Sequence, residues 1–214
     1  MKLTLTYSPI ACSLVPYILL TEADATFETL PVNLAKGENH GAEYLRLNPK
    51  GKVPALIIDG IALTENVAIQ MWIARQYPQA RLLPDDPMDY VRAISVMAWC
   101  AAGIHPKLTQ QQRPERYCTV PDTADNVREH GSHSLFELFD IAEAMLAGRE
   151  WFFERFSCAD VYFYWCFRRG SLFKPDVSGF VNCMAHMRRM EERSSVRKLL
   201  AYENEVQADF ARAG

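Results

Sequence analysis

Residues 55–77, ALIIDGIALTENVAIQMWIARQY, decide the fold. Two short apolar runs, 55–58 and 61–63, flank Asp59-Gly60. An Asp-Gly pair between apolar runs is a strong hairpin signal, because a two-residue turn of this kind needs positive φ at both positions. The period then changes: over 65–77, Val67, Met71 and Ala74 fall on one helical face, with Ile69, Trp72 and Ile73 beside it. The stretch is a β-β-α unit. Upstream, residues 2–7 (KLTLTY) alternate apolar and polar side chains, the period of a strand. Ser8-Pro9 breaks that pattern, and residues 13–23 (SLVPYILLTEA) read as a helix, with Pro16 in the first turn where a missing N–H costs little. Residues 27–33 resume alternation, and a polar stretch with a weak helical patch over 42–47 leads to the hairpin.

The order β-α-β, connection, β-β-α is the thioredoxin-like layout, a small sheet with helices on both faces. Residues 78–88 (PQARLLPDDPM) carry three prolines and two adjacent aspartates, a linker composition. Beyond them helical periodicity fits 88–113, 123–147, 157–170, 177–192 and 195–212, with no convincing strand. Ser157 is expected to cap the helix that follows it, with Asp160 reaching back. The expected architecture is therefore an α/β thioredoxin-like N-terminal domain over 1–78, a linker over 79–88, and an all-α C-terminal helical domain over 89–214.

Composition narrows the function classes. The 214 residues are 49% hydrophobic and 23% charged, ordinary globular usage, which excludes disorder and collagen-like repeats. A net charge of −3 gives no broad attraction to polyanions, so nucleic acid is not an expected partner. No apolar run approaches a membrane span, and the alternating N-terminus lacks the apolar stretch of a signal peptide. The six cysteines form no CxxC pair and read as thiols in a reducing compartment. A cytoplasmic protein is expected.

Four segments carry a resemblance that covers nearly the whole chain. They are Tyr7-Ser8-Pro9-Ile10-Ala11-Cys12-Ser13-Leu14; NPKGKVPAL from Asn48 to Leu56; Leu63-Thr64-Glu65-Asn66-Val67-Ala68-Ile69; and Phe156-Ser157-Cys158-Ala159-Asp160. In this order and spacing they are similar to the cytosolic glutathione transferases, the bacterial beta class above all. That resemblance implies glutathione transferase architecture, glutathione as co-substrate without a metal, a small hydrophobic electrophile as second substrate, and a homodimer.

It also implies roles for particular residues. Cys12, between a strand and a helix, is expected near a helix N-terminus, where the dipole favours a thiolate below its free value near ~8.5. The equivalent cysteine in the family sits beside the glutathione sulfur. Ser13 is a second candidate donor to that thiolate, and Tyr7 matches the N-terminal tyrosine of the class. Val53, before a proline that is cis in this family (Pro54), is expected to pair its backbone with the cysteinyl unit of glutathione. Glu65 and Asn66 open a helix whose N–H groups suit the γ-glutamyl carboxylate, while Glu65 accepts from the ammonium. Lys36 and Lys52 are candidates for the glycyl carboxylate. His105 matches a histidine placed near the glutathione thiol, and histidine titrates near neutrality. Pro106 and Ala98 depart from the class's lysine and asparagine, and Lys107 is offset by one position.

The other histidines, His130 and His133 included, show no metal-ligand pattern and are taken as surface residues. Of the aromatics between Trp99 and Phe167, some are expected to line a hydrophobic substrate pocket next to glutathione in the helical domain, and most to be core. Conjugation of glutathione to an electrophile is the leading activity. Disulfide exchange or thioether cleavage through Cys12 is the alternative, and a non-catalytic ligand- or partner-binding role on the same fold is the third.

Overall fold

The alternating N-terminal segment is strand β1 (Leu3–Tyr7), with Leu3, Leu5 and Tyr7 at or below 2% exposure. A computed structural model describes residues 1–173 and 176–212. Residues 174–175 and 213–214, inside the helical domain expected over 89–214, lie outside the described residues. Strands β2 (Glu28–Pro31), β3 (Ala55–Ile58) and β4 (Ile61–Thr64) complete a sheet of order β2-β1-β3-β4. β1 runs parallel to β2 and antiparallel to β3, and β3 is antiparallel to β4. Leu5 pairs with Thr29 on one side and Leu56 on the other. The expected turn closes the hairpin: Asp59 and Gly60 have φ of 47° and 90°, and Ile58 pairs with Ile61.

The parallel β1–β2 pair requires a crossover, supplied by helix α1 (Leu14–Glu22). Its residues from Leu14 to Leu20 are all buried, so a single neighbouring face does not suffice to cover it. Helix α2 (Ala42–Leu47) lies in the connection to β3, and α3 (Asn66–Gln76) packs on α1. The remaining cover for α1 is the C-terminal helix α9 (Ser194–Arg212), which buries Val196, Leu199 and Val206. The chain accordingly compacts into two units, Met1–Leu82 together with the segment from Glu191 onward, and Leu83–Met190. This differs from the sequence division, which assigned all of 89–214 to the helical domain. The physical reason is the all-round apolar surface of α1.

An ion pair reinforces the α1–α9 contact. Arg193 donates from Nε and Nη2 to the two Glu22 oxygens, both at 2.8 Å, a bidentate geometry. Ser195 donates to the same carboxylate.

The second unit holds α4 (Pro87–Trp99), α5 (His105–Gln112), α6 (Ala124–Met145), α7 (Cys158–Phe173) and α8 (Val181–Glu191). The single helix expected over 88–113 is interrupted by a π-helical turn, Cys100–Ile104. The His105 N–H reaches back five residues to the Cys100 carbonyl. Pro106 follows with no N–H to continue an α-helical ladder. Gly103 lies under the Trp99 ring, where a Cβ would stand 2.9 Å from the nearest ring atom.

Helix α7 is the centre of this unit, with Val161 through Phe167 at or below 2% exposure. The aromatics there are core, as expected. Its N-terminus is built around Asp160, which is fully buried. Asp160 Oδ2 accepts from Ser157 N–H (2.8 Å) and Ser157 O–H (2.9 Å). Oδ1 accepts from Phe152 N–H (3.0 Å) and from His186 Nε2 (3.1 Å). His186 is therefore not a surface residue: it is 1% exposed, boxed by Trp151, Phe152 and Phe163. Its Nε2 meets the carboxylate, and its buried Nδ1 has no hydrogen-bond partner. Four donors on one buried carboxylate offset a desolvation cost of several kcal/mol.

Burial acts to raise the Glu22 carboxyl, but the hydrogen bonds from Arg193 and Ser195 and the Arg193 charge outweigh it and hold the group below its ordinary value. A carboxyl lowered on folding contributes stability above its unfolded value near ~4.3, and that contribution is lost as pH falls through the lower folded value. Glu22→Gln is expected to cost about 1–2 kcal/mol in urea unfolding at pH 7. The difference from wild type should shrink as the pH is lowered from 5 toward 2; a difference independent of pH would contradict the assignment.

Candidate functional site

The chain leaves β1 at Tyr7 and must turn sharply to enter α1 at Leu14, and Cys12 sits in that turn. Three interactions from different parts of the first unit pin it. The Ser13 hydroxyl closes the turn on itself, accepting from Ser8 N–H (3.0 Å) and donating to Ser8 O (3.1 Å). From α9, Glu203 Oε2 accepts the Ile10 N–H at 2.7 Å. From α3, Asn66 Nδ2 donates to the Cys12 carbonyl at 2.7 Å, and Gln70 Nε2 in turn donates to Asn66 Oδ1 at 3.1 Å. Glu203 is 3% exposed and Gln70 is fully buried, so both contacts are shielded from water.

So held, the Cys12 thiol donates to the carbonyl of Val53 at 3.5 Å. Residues 41 apart in sequence thus meet at one point. The Val53–Pro54 peptide is cis, as the resemblance implied. The Val53 loop is fixed by a polar chain: Ala55 N–H donates to Thr6 Oγ1 (2.7 Å), the Thr6 hydroxyl lies 3.1 Å from the Tyr44 oxygen, and Tyr44 O–H donates to Lys52 O (2.8 Å). Burial pushes the Tyr44 phenol up, which keeps it a donor. Asn48 Nδ2 also donates to Lys52 O, at 2.6 Å. Gly51 has φ of 60°, and a Cβ there would meet His40 Nδ1 at 3.0 Å.

At the N-terminus of α3, Glu65 is exposed and adopts φ 73°, ψ 122°. Such an outlier in a residue with a side chain costs about 1–3 kcal/mol and is commonest at functional sites. Lys50 Nζ lies 2.5 Å from Glu65 Oε1 and 2.9 Å from Thr64 Oγ1.

The structure thus brings together Cys12, Val53 and Asn66, with Glu65 one residue before Asn66. Two expected catalytic residues are placed for a different job. Ser13 is fully buried, and its one O–H goes to Ser8 O, so it shapes the turn instead of facing the thiol. Tyr7 is also fully buried, tilted against Tyr17 and Tyr202 at 5.9 and 5.1 Å, with its hydroxyl 3.5 Å from Glu203. It supports the carboxylate that holds the turn. Asn66 places one Nδ2 hydrogen on the Cys12 carbonyl, and its backbone N–H stands at the start of α3. Lys36 and Lys52 are exposed. His105 belongs to the second unit, where it is half-buried and packs edge-on against Trp165 at 4.4 Å. Among the described residues no group of three or more His, Cys, Asp or Glu side chains is arranged to hold a metal ion.

Sequence reasoning missed Glu203, Gln70 and Lys50. For Glu203 a signal existed: it shares the buried stripe of α9 with Val196, Leu199 and Val206, where an acid is out of place.

The profile of the family described as "Glutathione S-transferase, N-terminal domain" matches residues 3–75. The glutathione S-transferase GstA of Escherichia coli O157:H7 is 32% identical over 201 residues, covering 92% of this chain and 96% of the relative. A Sulfitobacter glutathione transferase homolog, solved with bound glutathione, superposes with a TM-score of 0.89 at 26% identity, covering 94% of this chain and 98% of that one. The bacterial beta class glutathione S-transferase of Sphingomonas chungbukensis gives a TM-score of 0.83 at 32% identity, with 94% and 98% coverage. The chain belongs to the glutathione S-transferase family.

If Glu203 holds the turn, Glu203→Ala removes the 2.7 Å carboxylate acceptor from the Ile10 N–H. Native-state hydrogen exchange at Ile10 is expected to accelerate about tenfold or more while helix α7 keeps its protection. Unchanged exchange at Ile10 would show that the turn is held without Glu203.

Proposed function

We propose that this protein is a glutathione S-transferase that binds glutathione along the Val53 loop and promotes attack of its thiolate on a hydrophobic electrophile. The observation that carries the reading is the convergence of the Cys12 thiol on the Val53 carbonyl, 3.5 Å away, in a turn held from α3 and α9. The cysteinyl N–H of glutathione replaces the Cys12 thiol at the Val53 carbonyl, and its sulfur then lies beside Cys12. Glu65 takes the γ-glutamyl ammonium, the backbone N–H of Asn66 its carboxylate, and Lys36 and Lys52 attract the glycyl carboxylate. Cys12 donates a hydrogen bond to the glutathione thiolate, and each unit by which a thiol pKa falls is ~1.4 kcal/mol of differential stabilisation. The thiolate forms a C–S bond to the electrophile, and the leaving group departs with its electron pair. His105 is proposed as a second group that hydrogen-bonds or protonates at the sulfur. The beta class, a homodimeric assembly, a cytoplasmic location and a role in detoxification complete the proposal, supported by the family resemblance.

The position of Cys12 also favours a second reading. Its thiolate attacks a glutathione mixed disulfide, forms a Cys12–glutathione disulfide and releases the other thiolate. A second glutathione thiolate then attacks, releasing oxidised glutathione and regenerating Cys12.

Calorimetric titration of the reduced chain with glutathione is expected to give saturable binding, one per subunit. Cys12→Ala should abolish disulfide reduction and leave conjugation to an activated chloronitrobenzene partly intact. No binding up to millimolar glutathione would overturn the transferase reading in favour of a binding module. Disulfide reduction retained in Cys12→Ala would overturn the redox reading.

A further inference from the structure

The Lys50–Glu65 pair is not used by the reading above, and its chemistry mirrors one end of the ligand. The γ-glutamyl end of glutathione carries an ammonium and a carboxylate on the same carbon. Here one side-chain ammonium and one side-chain carboxylate stand 2.5 Å apart at the N-terminus of α3. Both are solvent-accessible, Lys50 at 48% and Glu65 at 68% of their side chains, so their mutual attraction is weak and the pair separates readily. Lys50 is tethered by its backbone, its N–H donating to Asn48 Oδ1 at 3.1 Å, while its exposed ammonium donates to Glu65 and Thr64 at the end of a flexible stem. The Asn66 side chain already places one Nδ2 hydrogen on the Cys12 carbonyl and accepts from Gln70 through Oδ1, so Lys50 is the charged donor at this helix end.

We propose that Lys50 is the specificity-determining contact for the α-carboxylate of the γ-glutamyl end: the incoming ammonium takes over Glu65, and the displaced Lys50 ammonium closes on the carboxylate beside it. The pair is exchanged for two ligand pairs of the same signs, so neither charge is left without a counterion. This assignment rests on the glutathione reading. It adds to that reading a second, charged partner for the α-carboxylate beside the Asn66 N–H, the Lys50 ammonium. A ligand with the ammonium but an amidated α-carboxylate satisfies Glu65 and leaves Lys50 with nothing to hold.

The test is calorimetric binding of glutathione and of its γ-glutamyl α-amide to wild type, Lys50→Met and Lys50→Arg. Lys50→Met keeps the apolar stem and is expected to weaken glutathione about 3- to 10-fold, the range of an exposed charge-assisted contact. The α-amide should bind wild type and Lys50→Met within about twofold of each other, and Lys50→Arg should recover most of the glutathione affinity. Wild type that binds glutathione while Lys50→Met binds it equally or more tightly overturns the proposal alone, because Lys50 would then only compete with the ligand ammonium. An equal loss for glutathione and its α-amide also overturns it, because the lysine would then act on the loop and not on the carboxylate. Wild type that binds no glutathione overturns this proposal and the transferase reading together.

Discussion

Ile10 is a β-branched residue held at φ 62°, a conformation that L side chains with a branch at Cβ avoid. The backbone accepts it because the Ile10 N–H is taken by a carboxylate from the opposite end of the chain, Glu203, at 2.7 Å. Everything at the site follows from this turn. It brings the chain off β1 and into α1 with Cys12 facing Val53, and it explains why α9 belongs with the sheet. A buried carboxylate is costly unless several donors meet it, and Glu203 has the Ile10 N–H and the Tyr7 hydroxyl. Tyr7, whose hydroxyl reaches Glu203, packs against Tyr17 and Tyr202, and burial pushes the Tyr17 phenol up to about 12.

Asp160 solves the same problem in the second unit. There too a single acid, fully buried, organises a helix start by collecting donors from several segments, Phe152, Ser157 and His186. The two carboxylates differ in what they hold. Asp160 fixes the start of the central helix of a packed unit, whereas Glu203 fixes the turn that carries a thiol.

Local order was legible in the sequence because it rests on local causes. The period-2 run at 2–7, the Asp59-Gly60 turn and the Ser157–Asp160 cap each depend on residues within a few positions of one another, and the structure contains all three. Cys12, Val53 and Glu65 are candidates through the resemblance of their motifs to the glutathione transferases. What escaped was set by contacts between distant segments. The Asn66 amide is taken by a carbonyl 54 residues away. His186 read as one more polar residue on an amphipathic helix, because its partner Asp160 lies 26 residues earlier. The docking of α9 is set in the same way: its pattern is ordinarily amphipathic, and the apolar surface of α1 that it covers lies near the other end of the chain.

On the proposed function, Cys12 and the Val53 carbonyl together form the seat of the glutathione cysteinyl unit. A crystal structure of the reduced chain with glutathione tests this most directly. The claim requires the cysteinyl N–H to donate to the Val53 carbonyl at about 2.9 Å. The ligand sulfur should also lie in contact with Cys12 Sγ, at about 4 Å or less. Glutathione bound with its sulfur away from Cys12, or with the Cys12 thiol still on the Val53 carbonyl, would contradict it.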